Sequence, residues 1–259
     1  MTEQHVRRLS TRDEALAVDP TGYFSLAVPE RDFVAAWEGE AAAAVLLRSQ
    51  GALSLVFQGD SSVVASVFDE VLHSANDAAG ELVDRITVPR AAASVVPFVR
   101  SGSWDWMTTN QVPPFQSREP DVIVVADDEL INAFLDVANP DASTRPGDPE
   151  IEQWAAVPDP SDTRSLLAAA AITRWQSGGL VLVSVATRPD ARGQGLAAAV
   201  SAFLTRRAIN AGEGQVALGH YADNDVARRV YERLGFTTRS QNVSGWLSER
   251  LPSTADDHA

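Results

Sequence analysis

An arginine and two glycines follow an apolar run in the stretch SVATRPDARGQGLAAAV, residues 184–200. The alternating apolar residues end at Thr187, and Arg192, Gly193 and Gly195 come just before an alanine-rich segment. A glycine-rich turn that leads from a strand into a helix can present backbone N–H groups and the positive end of the helix dipole to a phosphate. The pattern therefore predicts a phosphate-binding loop, and its alternative is a tight turn needed only for packing.

This loop needs a buried strand before it and a helix after it, and the sequence predicts both. Residues 179–187 are nearly all apolar, as expected of a central strand covered on both faces. After Gly195 the apolar residues recur at helical spacing, and the helix is expected to end near residues 210–212. Arg192 could add a charge-assisted hydrogen bond to a phosphate. The chain has neither a G-x-G-x-x-G fingerprint nor a P-loop lysine, so the sequence predicts neither of those nucleotide-binding classes.

Two ordered motifs resemble the GNAT superfamily of N-acetyltransferases. Arg192-x-x-Gly195-x-Ala197 is similar to the family's phosphate-binding loop, Arg/Gln-x-x-Gly-x-Gly/Ala. ALGHYADNDVARRVYERLGF, residues 217–236, resembles its second segment: a strand, an asparagine, a short helix with a tyrosine, and Leu-Gly-Phe. Helix physics supports this second segment independently, because Asn224 is well placed as an N-cap and Tyr231 shares an apolar helix face. The resemblance covers about residues 121–247.

The resemblance implies acetyl-CoA as a co-substrate, bound where parallel strands ending at Thr187 and Tyr221 separate. Backbone groups of residues 185–187 would pair with the pantetheine arm and polarise the thioester carbonyl. Amides of residues 192–197 would hold the pyrophosphate. The residues expected to bind acetyl-CoA are Val185, Ala186, Thr187, Arg192, Gly193, Gln194, Gly195, Leu196, Ala197 and Asn224.

The resemblance also implies direct attack of an acceptor amine on the thioester, with Tyr231 as the catalytic general acid for the leaving thiolate. The alternative for Tyr231 is an ordinary core aromatic residue. No general base stands out. Asp148, Glu150 and Glu152 precede the core strands and His220 ends one of them, but exposed carboxylates and a lone histidine more often have structural roles.

Composition limits the classes of function. The chain has 259 residues, of which 45% are hydrophobic, so it can bury one large core or two smaller ones. It has no cysteine and four scattered histidines, and we expect neither a disulfide nor a metal site. A net charge of −14 argues against nucleic-acid binding, although residues 184–240 carry eight arginines against five acids.

The cellular setting is also an expectation from composition. No apolar run is long enough to span a bilayer and the N-terminus lacks an apolar signal core, so we expect a cytoplasmic protein that does not bind membranes. All 21 residues counted as lysine or arginine are arginine, and alanine is abundant, as in GC-rich bacterial genomes. A monomer or a homodimer is expected.

We predict an α/β fold with a mixed sheet, in two tandem GNAT-like halves. Residues 1–110 form an N-terminal α/β domain, a degenerate copy of the fold in which RITVPRAAASVV, residues 85–96, takes the place of the acetyl-CoA loop. Residues 111–120 are a proline-containing linker, residues 121–249 the acetyltransferase domain, and residues 250–259 a disordered tail. One such domain needs roughly 140–160 residues, so the first half is extra.

Local patterns predict the individual elements. Strands are expected in residues 41–60 (two, with a turn near Gln50), 84–90, 103–109, 122–128, 165–176 and 179–187. Helices are expected in residues 61–76, 91–102 (ending near Pro97) and 128–138. Residues 139–162 are read as a long loop. Trp104 and Trp106 are expected in the core, or else in the wall of an acceptor pocket.

The function predicted from the sequence is therefore an acetyl-CoA-dependent N-acetyltransferase acting on a small primary amine. Two alternatives stay open within the enzymes: a longer acyl-CoA, or a protein N-terminus or lysine as the acceptor. A further alternative is a non-catalytic module that keeps the fold and binds acetyl-CoA as a sensor or scaffold. In the degenerate half, no acetyl-CoA binding is expected.

Overall fold

A computed structural model describes residues 6–19, 21–49, 51–175 and 177–247, which form two compact units. Of these residues, the first unit takes 6–106, 221–223 and 238–247, and the second takes 107–220 and 224–237. The last strand, which was expected in the second domain, therefore groups with the first unit. The expected tail at residues 250–259 and the turn residue Gln50 lie outside the described residues.

The described residues contain twelve strands, six α-helices and four short 3₁₀ helices. The strands are β1 Arg7–Leu9, β2 Phe33–Gly39, β3 Ala42–Ser49, β4 Ala52–Gly59, β5 Arg85–Pro89, β6 Arg100–Thr109, β7 Ile123–Val125, β8 Ile151–Asp159, β9 Asp162–Arg174, β10 Leu180–Thr187, β11 Val216–Tyr221 and β12 Thr237–Trp246. The α-helices are α1 Arg12–Ala17, α2 Tyr23–Ala27, α3 Ser61–Ala79, α4 Asp128–Ala138, α5 Leu196–Asn210 and α6 Asp225–Arg233. Short 3₁₀ helices cover Glu30–Asp32, Arg90–Val95, Glu119–Asp121 and Pro189–Ala191.

The sheet of the first unit begins with β1, β2, β3 and β4, which pair antiparallel in that order. Helix α3 then crosses over to β5, which is parallel to β4, and β12 pairs antiparallel with β5. Apolar residues of α3 that include Val64 and Phe68 pack against Leu55 and Phe57 on one face of the sheet. The other face is covered by α1 and α2, with Phe24 fully buried.

The second unit has the same plan. Strands β7, β8, β9 and β10 pair antiparallel, and α5 crosses over to β11, which is parallel to β10. The alanine run of β9 divides between two cores: Ala168 and Ala170 lie with α5, whereas Ala169 and Ala171 lie with α4. The sheet is therefore buried on both faces.

Both units thus contain an antiparallel meander, a crossover helix and a parallel strand, in this order along the chain. The repetition supports the predicted tandem arrangement, and the mixed α/β fold class is confirmed. Among the described residues, no helix is both long enough and apolar enough to cross a membrane.

The long loop predicted for residues 139–162 is wrong in its second half, because β8 occupies Ile151–Asp159 and pairs with both β7 and β9. Trp154 and the three residues after it are buried. This apolar stretch was missed because it is short and is flanked by prolines and acids.

The helix predicted at residues 91–102 is a 3₁₀ helix, Arg90–Val95, which stops before Pro97, since a residue that precedes proline avoids the helical region. The prediction also missed β1, α1, α2 and β2.

Candidate functional site

Strand β10 departs from regular geometry halfway along its length. Its ladder with β9 shifts register between Val183 and Ala186, and Ser184 has a φ of 50° in the left-handed region. Its parallel pairing with β11 joins Leu180–Leu182 to Val216–Leu218 and goes no further along the described residues. The two parallel strands therefore diverge at their carboxyl ends, which is the edge of a parallel sheet where ligands bind.

Val185, Ala186 and Thr187 form the diverging end of β10. Ala186 and Thr187 still pair with Ala169 and Ala168 of β9, so one edge of β10 is occupied and the opposite edge is open. The Thr187 Oγ1 atom is buried and has no hydrogen-bond partner among the described residues. These three predicted residues offer backbone N–H and C=O groups along the open edge, and the Thr187 hydroxyl adds an unsatisfied polar group.

The glycine loop follows after the 3₁₀ helix Pro189–Ala191. Arg192, Gly193, Gln194 and Gly195 are all exposed. Gly193 has φ 79° and Gly195 has φ 76°, and a Cβ at either position would meet no atom within 4 Å. Both glycines are therefore required by the left-handed backbone, and the space beside them is open.

Helix α5 begins directly at Gly195, its N-cap, without a capping side chain. The first intrahelical bond joins the Ala199 N–H to the Gly195 carbonyl, at 3.0 Å. The N–H groups of Leu196, Ala197 and Ala198 thus begin the helix without a side-chain acceptor, while the buried Leu196 side chain anchors the turn in the core. An uncapped helix start of this kind can hold an anion.

Arg192 is the arginine of the loop that is available to a ligand. Its Nε lies 3.3 Å from the Thr187 carbonyl oxygen, and no carboxylate of the described residues pairs with it. Its guanidinium can therefore add a charge-assisted contact beside the helix start.

Tyr231 lies on the buried face of α6 and is 7% exposed. Its ring contacts His220, with centroids 6.1 Å apart, and Phe236 at 6.0 Å. Its hydroxyl has no hydrogen-bond partner in the part of the chain that the structure describes. Burial raises the pKa of the Tyr231 hydroxyl well above its usual value. The group is protonated at neutral pH even without this shift.

Asn224 caps α6, as predicted: its Oδ1 accepts a hydrogen bond from the Ala227 N–H at 3.0 Å. The cap fixes the start of the helix that carries Tyr231. Asn224 therefore supports the site through its side-chain oxygen and can offer only its remaining polar groups to a ligand.

The four candidate general bases are not brought together. His220 is 8% exposed and lies against Tyr231 in the diverging part of β11. Glu152 is engaged by Arg174, which also binds Glu213 at 2.7 Å. Asp148 accepts the Glu150 N–H at 2.9 Å. Only His220 therefore lies beside the predicted general acid.

The sequence did not single out two residues that shape this site. The Ser184 hydroxyl bonds the carbonyl of Thr144, and Arg188 binds acids behind the glycine loop. A serine in an apolar strand and an arginine before a proline carry no recognisable signal, since Ser184 bonds Thr144 and Arg188 binds Asp159 in distant parts of the chain. No group of histidine, aspartate or glutamate side chains in the described residues could hold a metal ion.

In the first unit, the equivalent of the glycine loop lies between β4 and α3. The prediction that placed it at residues 85–96 is wrong, because α3 is the helix that crosses between parallel strands. The Asp60 carboxylate caps α3, accepting from the Ser62 N–H at 2.8 Å and the Val63 N–H at 3.2 Å. A negatively charged side chain thus occupies the helix start that would otherwise attract an anion.

The backbone of this equivalent loop also leaves no room for a side chain at Gly59. A Cβ at Gly59 would lie 2.3 Å from the Ala41 carbonyl oxygen, so β4 passes directly against its neighbour before α3 begins. Its ladder with β3 runs without a register shift from Ala52 to Gly59.

Trp104 and Trp106 pack edge to face and both contact Tyr23, an arrangement typical of a core.

Comparisons with known proteins agree with this geometry. Residues 162–246, which run from β9 to β12 and include both motifs, match the family model described as FR47-like protein. None of the curated proteins matches the sequence.

Solved structures share the fold over most of the chain. A GCN5-related N-acetyltransferase from Sphaerobacter thermophilus has 12% identity and a TM-score of 0.59, over 98% of each chain. One from Kribbella flavida has 21% identity and a TM-score of 0.52, over 89% of this chain and 94% of that one. A GNAT-family protein from Novosphingobium aromaticivorans has 17% identity and a TM-score of 0.53, over 90% and 99%.

At these identities the likeness concerns the fold. The chain has the GNAT fold, and the predicted resemblance to the GNAT superfamily is confirmed.

Proposed function

We propose that this protein is an acetyl-CoA-dependent N-acetyltransferase whose acceptor is a small primary amine. The observation that carries the proposal is the uncapped start of α5 behind two left-handed glycines, at the point where β10 and β11 diverge. An open strand edge beside an anion-binding helix start suits a ligand that has a peptide-like arm and a pyrophosphate.

The residues present fit acetyl-CoA. The backbone amides of residues 192–197 would bind the pyrophosphate, and Arg192 would add a positive charge. The open edge at residues 185–187 would pair with the pantetheine arm, and the orphaned Thr187 hydroxyl would find a partner there. When bound, acetyl-CoA supplies an activated acetyl thioester.

The chain's own residues would then promote direct transfer. A backbone N–H at the open edge of β10 would stabilise negative charge that develops on the thioester oxygen. As the C–N bond forms and the C–S bond breaks, the Tyr231 hydroxyl, which is protonated at neutral pH, would give its proton to the leaving sulfur. The proton that the amine releases would pass through solvent and restore the tyrosine. With no cysteine in the chain, no cysteine acyl-enzyme can form.

We also propose that the first unit binds no acetyl-CoA, because Asp60 occupies the equivalent helix start. A net charge of −14 disfavours nucleic-acid and membrane partners. The expected location in a bacterial cytoplasm stays a prediction.

The first test is calorimetric titration of the purified full chain with acetyl-CoA, after a check for co-purified CoA. We expect one saturable site per chain. Two sites would contradict the proposed inactivity of the first unit, and no binding by the folded, ligand-free protein would overturn the whole proposal.

The second test detects released CoA with a thiol reagent, which meets no protein background in a chain without cysteine. Small primary amines are compared with peptide amines, and acetyl-CoA with longer acyl-CoAs. Release with small amines and acetyl-CoA supports the proposed reaction. Binding without release across the whole panel would favour a sensor or scaffold.

A further inference from the structure

Arg188 directly precedes the 3₁₀ helix that leads into the glycine loop, and each of its three guanidinium nitrogens has a partner. Its Nε and Nη2 donate to the two carboxylate oxygens of Asp190, at 2.7 and 3.0 Å. Nη2 also lies 2.8 Å from Asp159 Oδ2, and Nη1 donates to the Ser165 hydroxyl at 2.8 Å. One side chain therefore ties the loop to the turn between β8 and β9.

The backbone of Arg188 is held as well. Its N–H donates to the Leu167 carbonyl of β9, and its own carbonyl accepts from the Ala191 N–H, both at 2.9 Å. Asp159 is largely buried and also accepts from the N–H and the hydroxyl of Ser161. The contacts of Arg188 thus fix the path of the chain from the end of β10 into the loop.

The charges around Arg188 bear on phosphate binding. Asp190 lies in the 3₁₀ helix just before the loop, and hydrogen bonds from Arg188 lower its pKa below the usual value. The pKa of Asp159 is lowered by Ser161 and by Arg188. Both groups are carboxylates at neutral pH, and Asp190 lies only five residues before Gly195, the N-cap of α5. Without Arg188 their negative charge would disfavour an anion at that helix start.

The two arginines of the loop have different surroundings. The guanidinium of Arg188 donates to Asp159, Asp190 and Ser165. Arg192 is exposed and, among the described residues, has only the Thr187 carbonyl as a partner.

We propose that Arg188 is a positioning residue for the phosphate-bearing co-substrate, which fixes the glycine loop and neutralises Asp159 and Asp190 so that Arg192 is left to contact the phosphates. This inference rests on the proposed function. It separates a residue that prepares the loop from one that touches the ligand.

The experiment is calorimetry of the full chain with CoA, comparing wild type, Arg188→Met, Asp190→Asn and the double variant. For Arg188→Met we expect the Kd to rise about tenfold, because Asp159 and Asp190 would then carry uncompensated negative charge and the loop would lose its anchor. Arg48→Met, which removes an arginine paired with Glu81 in the first unit, is the matched control and should leave the Kd unchanged.

The double variant distinguishes the proposed role from a merely structural one. If repulsion by the unpaired carboxylate weakens binding, Asp190→Asn should restore part of the affinity lost in Arg188→Met. If Arg188 only stabilised the fold, removing a second hydrogen-bonding charge would give no recovery. Melting temperatures of the ligand-free variants accompany each titration.

The outcomes are separable. If wild type binds CoA and Arg188→Met has the same Kd, the role of Arg188 is overturned and the proposed function stands. The same holds if Arg188→Met loses affinity and Asp190→Asn does not restore any of it. No CoA binding by wild type overturns the proposed function itself. Should Arg188→Met not fold, Arg188→Lys keeps the charge with fewer donors and is expected to have a Kd between wild type and tenfold weaker; an unchanged Kd there overturns the role of Arg188.

Discussion

The Ser184 hydroxyl donates a hydrogen bond of 2.7 Å to the backbone carbonyl of Thr144, 40 residues earlier in the chain. Ser184 is also the residue of β10 whose φ is 50°, at the register shift that opens the strand. A strained backbone position at a candidate site is typical of a functional constraint. The same residue therefore bends the strand and holds the segment between α4 and β8 against the bend.

Ser184→Ala should loosen that segment without closing the bulge, because alanine keeps the Cβ and its left-handed strain. A neutral hydrogen bond contributes about 1 kcal/mol, so amide exchange in residues 140–150 should become roughly fivefold faster. Hydrogen exchange of the full chain measures this, while calorimetry should give an unchanged Kd for CoA. Ser74→Ala, which removes the partner of the Trp37 indole in the first unit, is the control. Unchanged exchange in residues 140–150 would show that this hydrogen bond does not hold the segment.

Tyr231→Phe tests the general acid while keeping the ring contacts with His220 and Phe236. Loss of a proton donor should lower kcat by about 10²–10⁴-fold, with little change in the Kd for acetyl-CoA. Release of CoA in the presence of a competent amine measures the rate. Full activity of Tyr231→Phe with every amine tried would mean that Tyr231 is an ordinary core aromatic residue and not the general acid.

Tyr23→Phe is the matched control for that substitution. Tyr23 is half-buried, desolvation raises the pKa of its hydroxyl to about 12, and it packs against two tryptophans in the first unit. If burial of any tyrosine hydroxyl mattered for catalysis, both variants would lose activity. We expect Tyr23→Phe to have wild-type kcat.

Gly195→Val tests the phosphate loop against a purely structural turn. Gly195 and Gly178 both have a left-handed φ and open space around a would-be Cβ, so valine at either position should cost a similar stability, at least about 1 kcal/mol. Only Gly195→Val should also weaken CoA binding, by more than about tenfold, because it adds a side chain at the helix start. Calorimetry at a temperature where both variants are folded makes the comparison. Equal affinity in the two variants would mean that the loop is only a tight turn.

The second half of the chain was predictable because its signals are local. Strand β10 is predicted by the apolar alternation that ends at Thr187. Helix α5 is predicted by Gly195 and the periodic apolar face after it, and both signals lie within short stretches of sequence. The cap at Asn224 and the helix carrying Tyr231 follow in the same way. Strand β8 was missed because its apolar centre is short and its ends carry acids and prolines.

What depended on pairing between distant strands could not be predicted. Which segment of the first unit corresponds to the glycine loop is decided by the parallel pairing of β4 with β5, and no local pattern reports that pairing. The bulge at Ser184 and the contacts of Arg188 with Asp159 and Ser165 likewise depend on partners far along the chain. Local sequence therefore located the candidate site, and long-range contacts determine its geometry.

Asp60→Asn tests the cap that replaces the glycine loop in the first unit. Hydrogen bonds from the Ser62 hydroxyl and from the Val63 and Ser62 amides lower the pKa of Asp60. A group whose pKa is lower in the folded state stabilises the fold above its unfolded pKa, near 3.9, and loses that contribution as the pH falls through the folded value. Asparagine keeps the capping oxygen but does not titrate.

The variant should therefore unfold at lower urea concentration than wild type at pH 7, and the gap should narrow as the pH falls below about 4. A gap that stays constant with pH would mean that the Asp60 charge contributes nothing at this helix start. The titration with acetyl-CoA should still give one site per chain, because Gly59 remains against Ala41 and no glycine loop replaces the missing charge. A second acetyl-CoA site in Asp60→Asn would instead mean that the Asp60 carboxylate alone prevents the first unit from binding acetyl-CoA.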